Sequence, residues 1–367
     1  MTSMAMKTVA GDYGAVHKGR GATLNPEGRF ENDAREAFDD GWDMPLEEEP
    51  GRPRTIVTVE RARSIISRNE SPDIPFTQSI NPYRGCEHGC IYCYARPSHA
   101  YLNLSPGLDF ETRLFAKTNA AELLQEELAR PGYTCDCITI GANTDPYQPV
   151  EREWKVTRSI LEVLAACNHP CAIITKNAMV ERDLDILAPM AAKNLVQVYI
   201  SVTTLDHDIA RRMEPRAPAP ARRVEAIRRL AEAGVPTGVM VAPVVPFLTD
   251  SGIETVLEAA REAGADRAGY TLMRLPWEVK DLFKDWLEHN FPLKAAHVMS
   301  RIRDMREGRE NDPNFGSRMR GAGELAELLS KRFNMACRRL ALNHIRRGPL
   351  DTAKFRPPRL NGQMDLF

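Results

Sequence analysis

The sequence predicts an α/β fold, a partial (β/α)6 barrel with an irregular N-terminal extension and a C-terminal helical region. Three observations predict it. From about residue 76, apolar runs of four to eight residues alternate with longer runs of helical period. The short runs are β-rich and apolar almost throughout, as strands buried on both faces are, whereas each long run carries one apolar stripe. The alternation occurs six times, and repeated βα units imply parallel strands joined by right-handed crossovers. An open doubly wound sheet is the alternative. In both architectures the ligand site lies at the carboxyl ends of the strands.

Taken in order, residues 1–50 are Gly-rich and acid-leaning, with "VHKGRGATLNPEGRF" near the start and "EEEPGRP" at the end, and read as an irregular extension. Residues 51–75 contain "TIVTVERARSIISRN", a lead-in strand and short helix. The barrel covers residues 76–290. Its strands are "TQSIN", "CITIGAN", "CAIITKN", "VQVYISVTT", "TGVMVAPVV" and "AGYTLMRL". The helices between and after them are "NAAELLQEELAR", "VTRSILEVLAAC", "RDLDILAPMAAK", "ARRVEAIRRLAEAG", "IETVLEAAREAG" and "WEVKDLFKDWLEHN". Residues 291–350 form the helical region. Residues 351–367 form a flexible tail, because prolines and basic residues argue against a packed element there.

Composition restricts the setting. The chain of 367 residues, 43% hydrophobic and 27% charged, is large enough to bury a sizeable core. A formal net charge of -1 gives no whole-protein attraction to nucleic acid or membrane, which leaves only local patches to supply one. An N-terminal apolar stretch and any run long enough to span a bilayer are both missing, so the expected compartment is the cytoplasm, without a membrane partner. In that reducing setting, the eight cysteines point to metal binding or catalysis before disulfides.

The stretch "NPYRGCEHGCIYCYARPSHAY" places Cys86, Cys90 and Cys93 within eight positions, directly after the first strand and so at the ligand end. Three thiolates hold three irons of a 4Fe-4S cube and leave the fourth iron open to a non-protein ligand. A structural zinc site is the alternative. It needs a fourth ligand from His88, His99 or a remote cysteine, and His88 lies between two of the cysteines, where reaching the same ion would strain the loop.

The spacing C-x-x-x-C-x-x-C, with Tyr92 before the third cysteine, resembles the radical S-adenosylmethionine (SAM) superfamily. The resemblance implies that SAM chelates the open iron, and that an electron from the reduced cube cleaves it to a 5′-deoxyadenosyl radical, which abstracts hydrogen from a substrate. It also implies SAM contacts. Asn143, Thr144 and Asp145 in "GANTDPYQPVE" fall where the family meets the SAM amino group, Ser201 where it meets the ribose, and Arg222 where it reaches the carboxylate. The apolar "VAPVVP" of the fifth strand falls where the adenine lies. Each has a plainer reading: an Asx turn before Pro146 for Asp145, a backbone hydrogen bond for Ser201, and a solvated helix face for the arginines from Arg211 to Arg229.

Within the superfamily, residues 76–290 are similar to spore photoproduct lyase and its relatives of unassigned activity, most specifically at "CIYCYA", where Tyr92 and Tyr94 match a tyrosine pair of the lyase and are implied to be catalytic. In the lyase a cysteine of the second-strand loop returns hydrogen to the split thymine dimer. Here Asn143 occupies that place, and an amide cannot donate a hydrogen atom as a thiol can. The nearby thiols are Cys135 and Cys137, which read either as substitutes or as small buried apolar residues.

The end of the sequence points to nucleic acid by another route. Residues 331–360 hold nine basic side chains against one acid, Asp351. "AELLSKRFNMACRRLALNHI" reads as an amphipathic helix burying Leu328, Leu329, Phe333, Ala336 and Leu340, with outward arginines that either track phosphates or are simply solvated. Gln363, Leu366 and Phe367, in "QMDLF", resemble the linear motif by which bacterial repair proteins dock on the DNA sliding clamp. The combined expectation is a radical SAM enzyme, of lyase type or otherwise, that repairs or modifies a nucleic-acid base and is served by an unidentified electron donor. The alternatives are a metal-stabilised nucleic-acid or clamp adaptor, and radical chemistry directed at RNA or protein.

Overall fold

The computed structural model describes residues 19–30, 53–344 and 348–359. Its main sheet contains six parallel strands: β1 (Gln78–Ile80), β2 (Ile138–Ile140), β3 (Cys171–Thr175), β4 (Val196–Ser201), β5 (Thr237–Val244) and β6 (Arg267–Leu272). The matching helices are α1 (Ala120–Leu128), α2 (Val156–Ala166), α3 (Leu184–Ala192), α4 (Pro220–Glu232), α5 (Ile253–Glu262) and α6 (Val279–Asn290). Each strand pairs in parallel with the next in sequence, from β1 to β6. A doubly wound sheet reverses its strand order at a switch point. This order never reverses, so the partial barrel is the architecture. It stays open: β6 ends one side of the sheet, and the other edge of β1 is taken by the antiparallel pair Ser67–Arg68.

Local sequence explains these elements. Within β3, Cys171, Ala172, Ile173 and Thr175 are buried, as a strand covered on both faces requires. On α5 the buried residues Ile253, Val256, Leu257 and Ala260 recur at helical spacing and turn one stripe to the sheet. A second apolar core lies beside the cysteine loop. There Cys90, Ile91 and Tyr92 pack with Phe283, Trp286 and Leu287 of α6 and with Val298, Met299 and Ile302 of α7 (Pro292–Asp304). No helix among the described residues is long and apolar enough to cross a membrane.

Three segments differ from the sequence expectation. The lead-in strand is present as Ile56–Glu60, but it pairs with Arg113–Lys117 in a separate small sheet, and the short helix expected after it does not form. Its backbone donors are spent elsewhere: the Glu127 carboxylate accepts from Ile65 N at 2.7 Å, and the Asn119 side chain accepts from Ala62 N at 3.0 Å. The tail expected to be flexible is docked through residue 356. Phe355 packs 5.6 Å from Tyr133 and 5.1 Å from His169, and Arg356 N donates to Cys167 O at 2.8 Å.

The last helix, α8 (Gly323–Arg339), buries Leu329, Phe333 and Ala336 as expected, but Leu328 is exposed. Its arginines are not all free to track phosphates. Arg332 meets Glu254 at 2.6 Å and Arg339 meets Glu258 at 2.5 Å, so both pin α8 to α5. Residues 363–367, the clamp-like motif, lie outside the described residues.

Candidate active site

The cysteine loop leaves β1 at the carboxyl end of the sheet, where its shape is set by close backbone approach. Gly85 has φ +73°, and a Cβ there would sit 2.6 Å from Leu114 Cδ2 and 2.9 Å from Phe110 O. The N-terminal segment crosses the same loop. A Cβ on Gly21 would lie 1.9 Å from the Gly89 carbonyl oxygen. Two buried charges lock this crossing. Arg96 pairs with Glu111, both without solvent exposure, and the guanidinium also donates to the carbonyls of Cys90 at 2.9 Å, Pro106 at 3.1 Å and Gly107 at 2.8 Å. Glu111 in turn accepts from Gly21 N and Ala22 N, each at 2.9 Å.

Cys86, Cys90 and Cys93 are brought together. Burial holds the Cys86 thiol well above its usual pKa, and Asp145, Cys90 and Cys93 push it further in the same direction. Burial, then Glu214, pushes the Cys90 thiol up to about 12. The three thiols share one loop, two of them buried and Cys93 half-buried, where thiolate charge needs a cation to neutralise it. Among the described residues, no group of three or more His, Cys, Asp or Glu side chains is placed to hold a metal ion. Ligands of a single zinc all lie within about 2.3 Å of one atom, whereas the thiolates of a cube each bind a different iron and stand further apart. Of the histidines considered for zinc, His88 Nε2 meets Asn177 Nδ2 at 3.2 Å and His99 Nε2 meets Arg113 O at 2.9 Å, and in each the buried Nδ1 has no hydrogen-bond partner. The donor set and the cramped loop fit an iron–sulfur cube with three protein ligands.

Around the thiols lies a buried polar network. Tyr92 donates its hydroxyl proton to Glu214, which also accepts from Thr203 Oγ1 at 2.7 Å and pairs with Arg223 at 2.5 Å. Burial alone would raise the Glu214 pKa, but Arg223 and Lys176 outweigh it and hold the carboxyl at about 2. Lys176 Nζ stands 4.0 Å from Glu214 and 5.7 Å from the Tyr92 ring centre. Tyr94, half-exposed, donates to Ala142 O beyond β2.

The sequence-named SAM contacts separate into two groups. Asn143, Thr144, Asp145 and Ser201 all lie at the carboxyl end of the sheet. Asn143 is exposed, with its backbone N–H donated to Asn81 Oδ1 at 2.8 Å, and Thr144 Oγ1 donates to Tyr83 O at 2.8 Å. Asp145 accepts from Thr175 Oγ1 at 2.6 Å, Lys176 N at 2.7 Å and, in the anticipated Asx turn, Tyr147 N at 2.9 Å. Burial pushes its carboxyl up, but His88 and these donors hold it at about 2. Ser201 is buried, and its carbonyl accepts from Arg223 Nη1 at 3.2 Å. Arg222 instead pairs with Glu181 at 2.5 and 2.8 Å on the outer side of α4; its neighbour Arg223 is the arginine that turns inward.

Cys135 and Cys137 precede β2, at the opposite end of the sheet from the cysteine loop. Cys137 has its thiol pushed up to about 12 by burial, then by Asp136 and Cys135. Sequence reasoning missed Lys176, Glu214, Arg223 and the Arg96–Glu111 pair. The position of Lys176 directly after a strand, at the ligand end, was a usable signal. Glu214 carried none, because the turn after the short helix His207–Met213 brings it inward.

Residues 80–260 match the family model of the radical SAM superfamily, and an uncharacterised protein of Mycobacterium tuberculosis is 36% identical over 261 residues, 70% of this chain and 75% of that one. The chain belongs to the radical SAM superfamily. A further relative, an uncharacterised protein of Methanocaldococcus jannaschii, is 25% identical over 63% of this chain and 82% of its own. Among solved structures, this radical SAM fold is similar to a spore photoproduct lyase variant, with TM-score 0.54 and 16% identity over 83% of this chain and 87% of the lyase. It is also similar to a lyase variant with bound SAM and dinucleoside spore photoproduct, with TM-score 0.53 and 16% identity over 77% of this chain and 79% of the lyase. At such identities the likeness concerns the fold. Membership of the family makes the chain a radical SAM enzyme and sets aside the adaptor reading.

Proposed function

We propose that this radical SAM enzyme holds a 4Fe-4S cube through Cys86, Cys90 and Cys93, binds SAM at its open corner, and repairs or modifies a base of nucleic acid. The observation that carries the first part is the placement of Cys86 and Cys90, both buried, and half-buried Cys93 on one loop at the carboxyl end of β1. When bound, the cube supplies the electron that splits SAM to a 5′-deoxyadenosyl radical, which removes a hydrogen atom from the substrate.

The chain's own residues do the rest. Lys176, beside Tyr92 on the buried side, offers its ammonium to the SAM carboxylate. Glu214, fixed by Arg223, holds the Tyr92 hydroxyl and so fixes the ring beside Cys90. Val244, which ends β5, and Val245 just beyond it are both buried and form an apolar wall suited to adenine. Tyr94 stands at the half-exposed side, where substrate enters. A hydrogen-returning thiol in the second-strand loop is not supplied by Cys135 or Cys137, which lie at the other end of β2, so product formation takes a route unlike the lyase's.

Nucleic acid as substrate is supported by the lyase that holds a dinucleoside photoproduct on the same fold, and by the clamp-like "QMDLF" of residues 363–367. An unidentified donor supplies the electron to the cube. Anaerobic reconstitution tests the chemistry: the expected result is a brown protein whose reduced-cluster paramagnetic signal changes with SAM and which releases 5′-deoxyadenosine. Stoichiometric zinc without that response would sink it. Screening DNA and RNA lesions for deuterium transfer into the deoxyadenosine methyl group tests the substrate, and transfer only from a peptide would overturn that part.

A further inference from the structure

Beyond β6 the chain passes Met273 to Arg274, at the same end of the sheet as the cysteine loop. The Arg274 guanidinium lies 5.7 Å from the ring centre of Tyr94, the residue next to Cys93. Arg274 interacts with Arg306 and Arg318, and two carboxylates, Asp73 and Asp312, oppose these three cations. Both carboxylates are committed. Asp73 takes Arg318 in a two-point contact at 2.6 and 2.7 Å, and Asp312 accepts from Asn314 N at 2.9 Å and from Ser317. Arg306 donates Nη2 to Met273 O at 2.7 Å and Nη1 to Ser317 O at 2.9 Å, which leaves only its buried Nε without a partner.

Arg274 is left over. Its Nη1 donates to the Met319 thioether at 3.6 Å, a weak acceptor, and its buried Nε has no hydrogen-bond partner. Burial, then Arg318, lowers its pKa. A planar fork with uncommitted donors suits an oxyanion. At the same corner Phe315, 58% exposed, carries the Arg318 guanidinium over its ring at 4.7 Å. Cations interleaved with aromatic rings are the means by which single-stranded nucleic acid is held.

We propose that Arg274 receives a phosphodiester group of the substrate strand beside Tyr94, presenting the adjoining nucleotide to the cysteine loop. The inference rests on the nucleic-acid reading above. SAM carboxylate is the competing source of an oxyanion, but Lys176 serves it from the buried Tyr92 side, whereas Arg274 flanks the half-exposed Tyr94 that a polymer can reach.

The test titrates a fluorescent single-stranded oligodeoxynucleotide against the full chain and the Arg274→Gln and Arg274→Lys variants over a salt series, with SAM binding measured in parallel. Arg274→Gln is expected to weaken oligonucleotide binding about tenfold and to reduce the slope of log affinity against log salt by about 0.7, the loss of one single-strand phosphate contact. Arg274→Lys, which keeps the charge, should retain the wild-type slope. Unchanged slope and affinity in Arg274→Gln would overturn the inference and leave the nucleic-acid reading standing. Lost SAM affinity with oligonucleotide binding intact would assign Arg274 to the SAM carboxylate and overturn it too. A wild-type chain that cleaves SAM but binds no oligonucleotide would refute both.

Discussion

Replacing Arg96 with methionine isolates what holds the cysteine loop. Arg96 and Glu111 are both without solvent exposure, so the substitution leaves a carboxylate buried without its cation. Breaking such a pair from one side costs about 3–5 kcal/mol, because the remaining charge keeps its desolvation penalty. The Cys90, Pro106 and Gly107 carbonyls lose donors at the same time, so the upper end of that range is expected. Total stability is about 5–15 kcal/mol, so the variant should be marginal and its loop poorly ordered. Urea unfolding followed by circular dichroism, with iron uptake measured in parallel, reads both effects. Arg96→Lys should restore little, since an ammonium with three donors cannot serve the five acceptors that the planar guanidinium reaches, the Cys90, Pro106, Gly107 and Gly89 carbonyls and Glu111. Arg96→Met with Glu111→Leu should recover part of the loss by removing both charges, but not all, because Gly21 N and Ala22 N then lose their acceptor. A loss below about 1 kcal/mol in Arg96→Met, with full iron uptake, would refute this account of the loop.

Single Cys86→Ala, Cys90→Ala and Cys93→Ala variants should each lose the cluster absorbance and most bound iron; a variant that keeps full iron refutes its ligand assignment. Cys137→Ala should cleave SAM and form product at the wild-type rate, and an aberrant product would give this thiol a chemical role. His169 is buried, and burial lowers its pKa from 6.5 to about 4. The unfolded chain therefore binds the extra proton first, so stability is full above pH 6.5 and falls between 6.5 and 4 by about 3 kcal/mol. His169→Phe should flatten that window in urea titrations, and an unaltered pH slope would show that another group titrates there. Deleting Gln363–Phe367 should abolish capture by a bacterial sliding clamp while 5′-deoxyadenosine release continues; capture that survives the deletion removes the motif from the interaction.

Sequence alone determined the features written in local periodicity and spacing. Six apolar strands and their striped helices were legible because burial on two faces and on one stripe leave different periods, and the grouping of Cys86, Cys90 and Cys93 on one loop because they lie within eight positions of one another. Their position at the carboxyl end of the sheet followed from the βα order. Other features depended on which distant segment fills a given space. The sheet's unreversed order, Arg223 rather than Arg222 turned toward Glu214, and Gly21 pressed against Gly89 are products of long-range packing. Lead-in residues 62–66 gave up a helix because Asn119 and Glu127 took their backbone donors, and Phe355 left the expected flexible tail because Tyr133 and His169 offered it an aromatic seat. Hydrogen-bond and burial energies of this kind belong to pairs of residues far apart in the chain, so neither partner's neighbours in sequence reveal them.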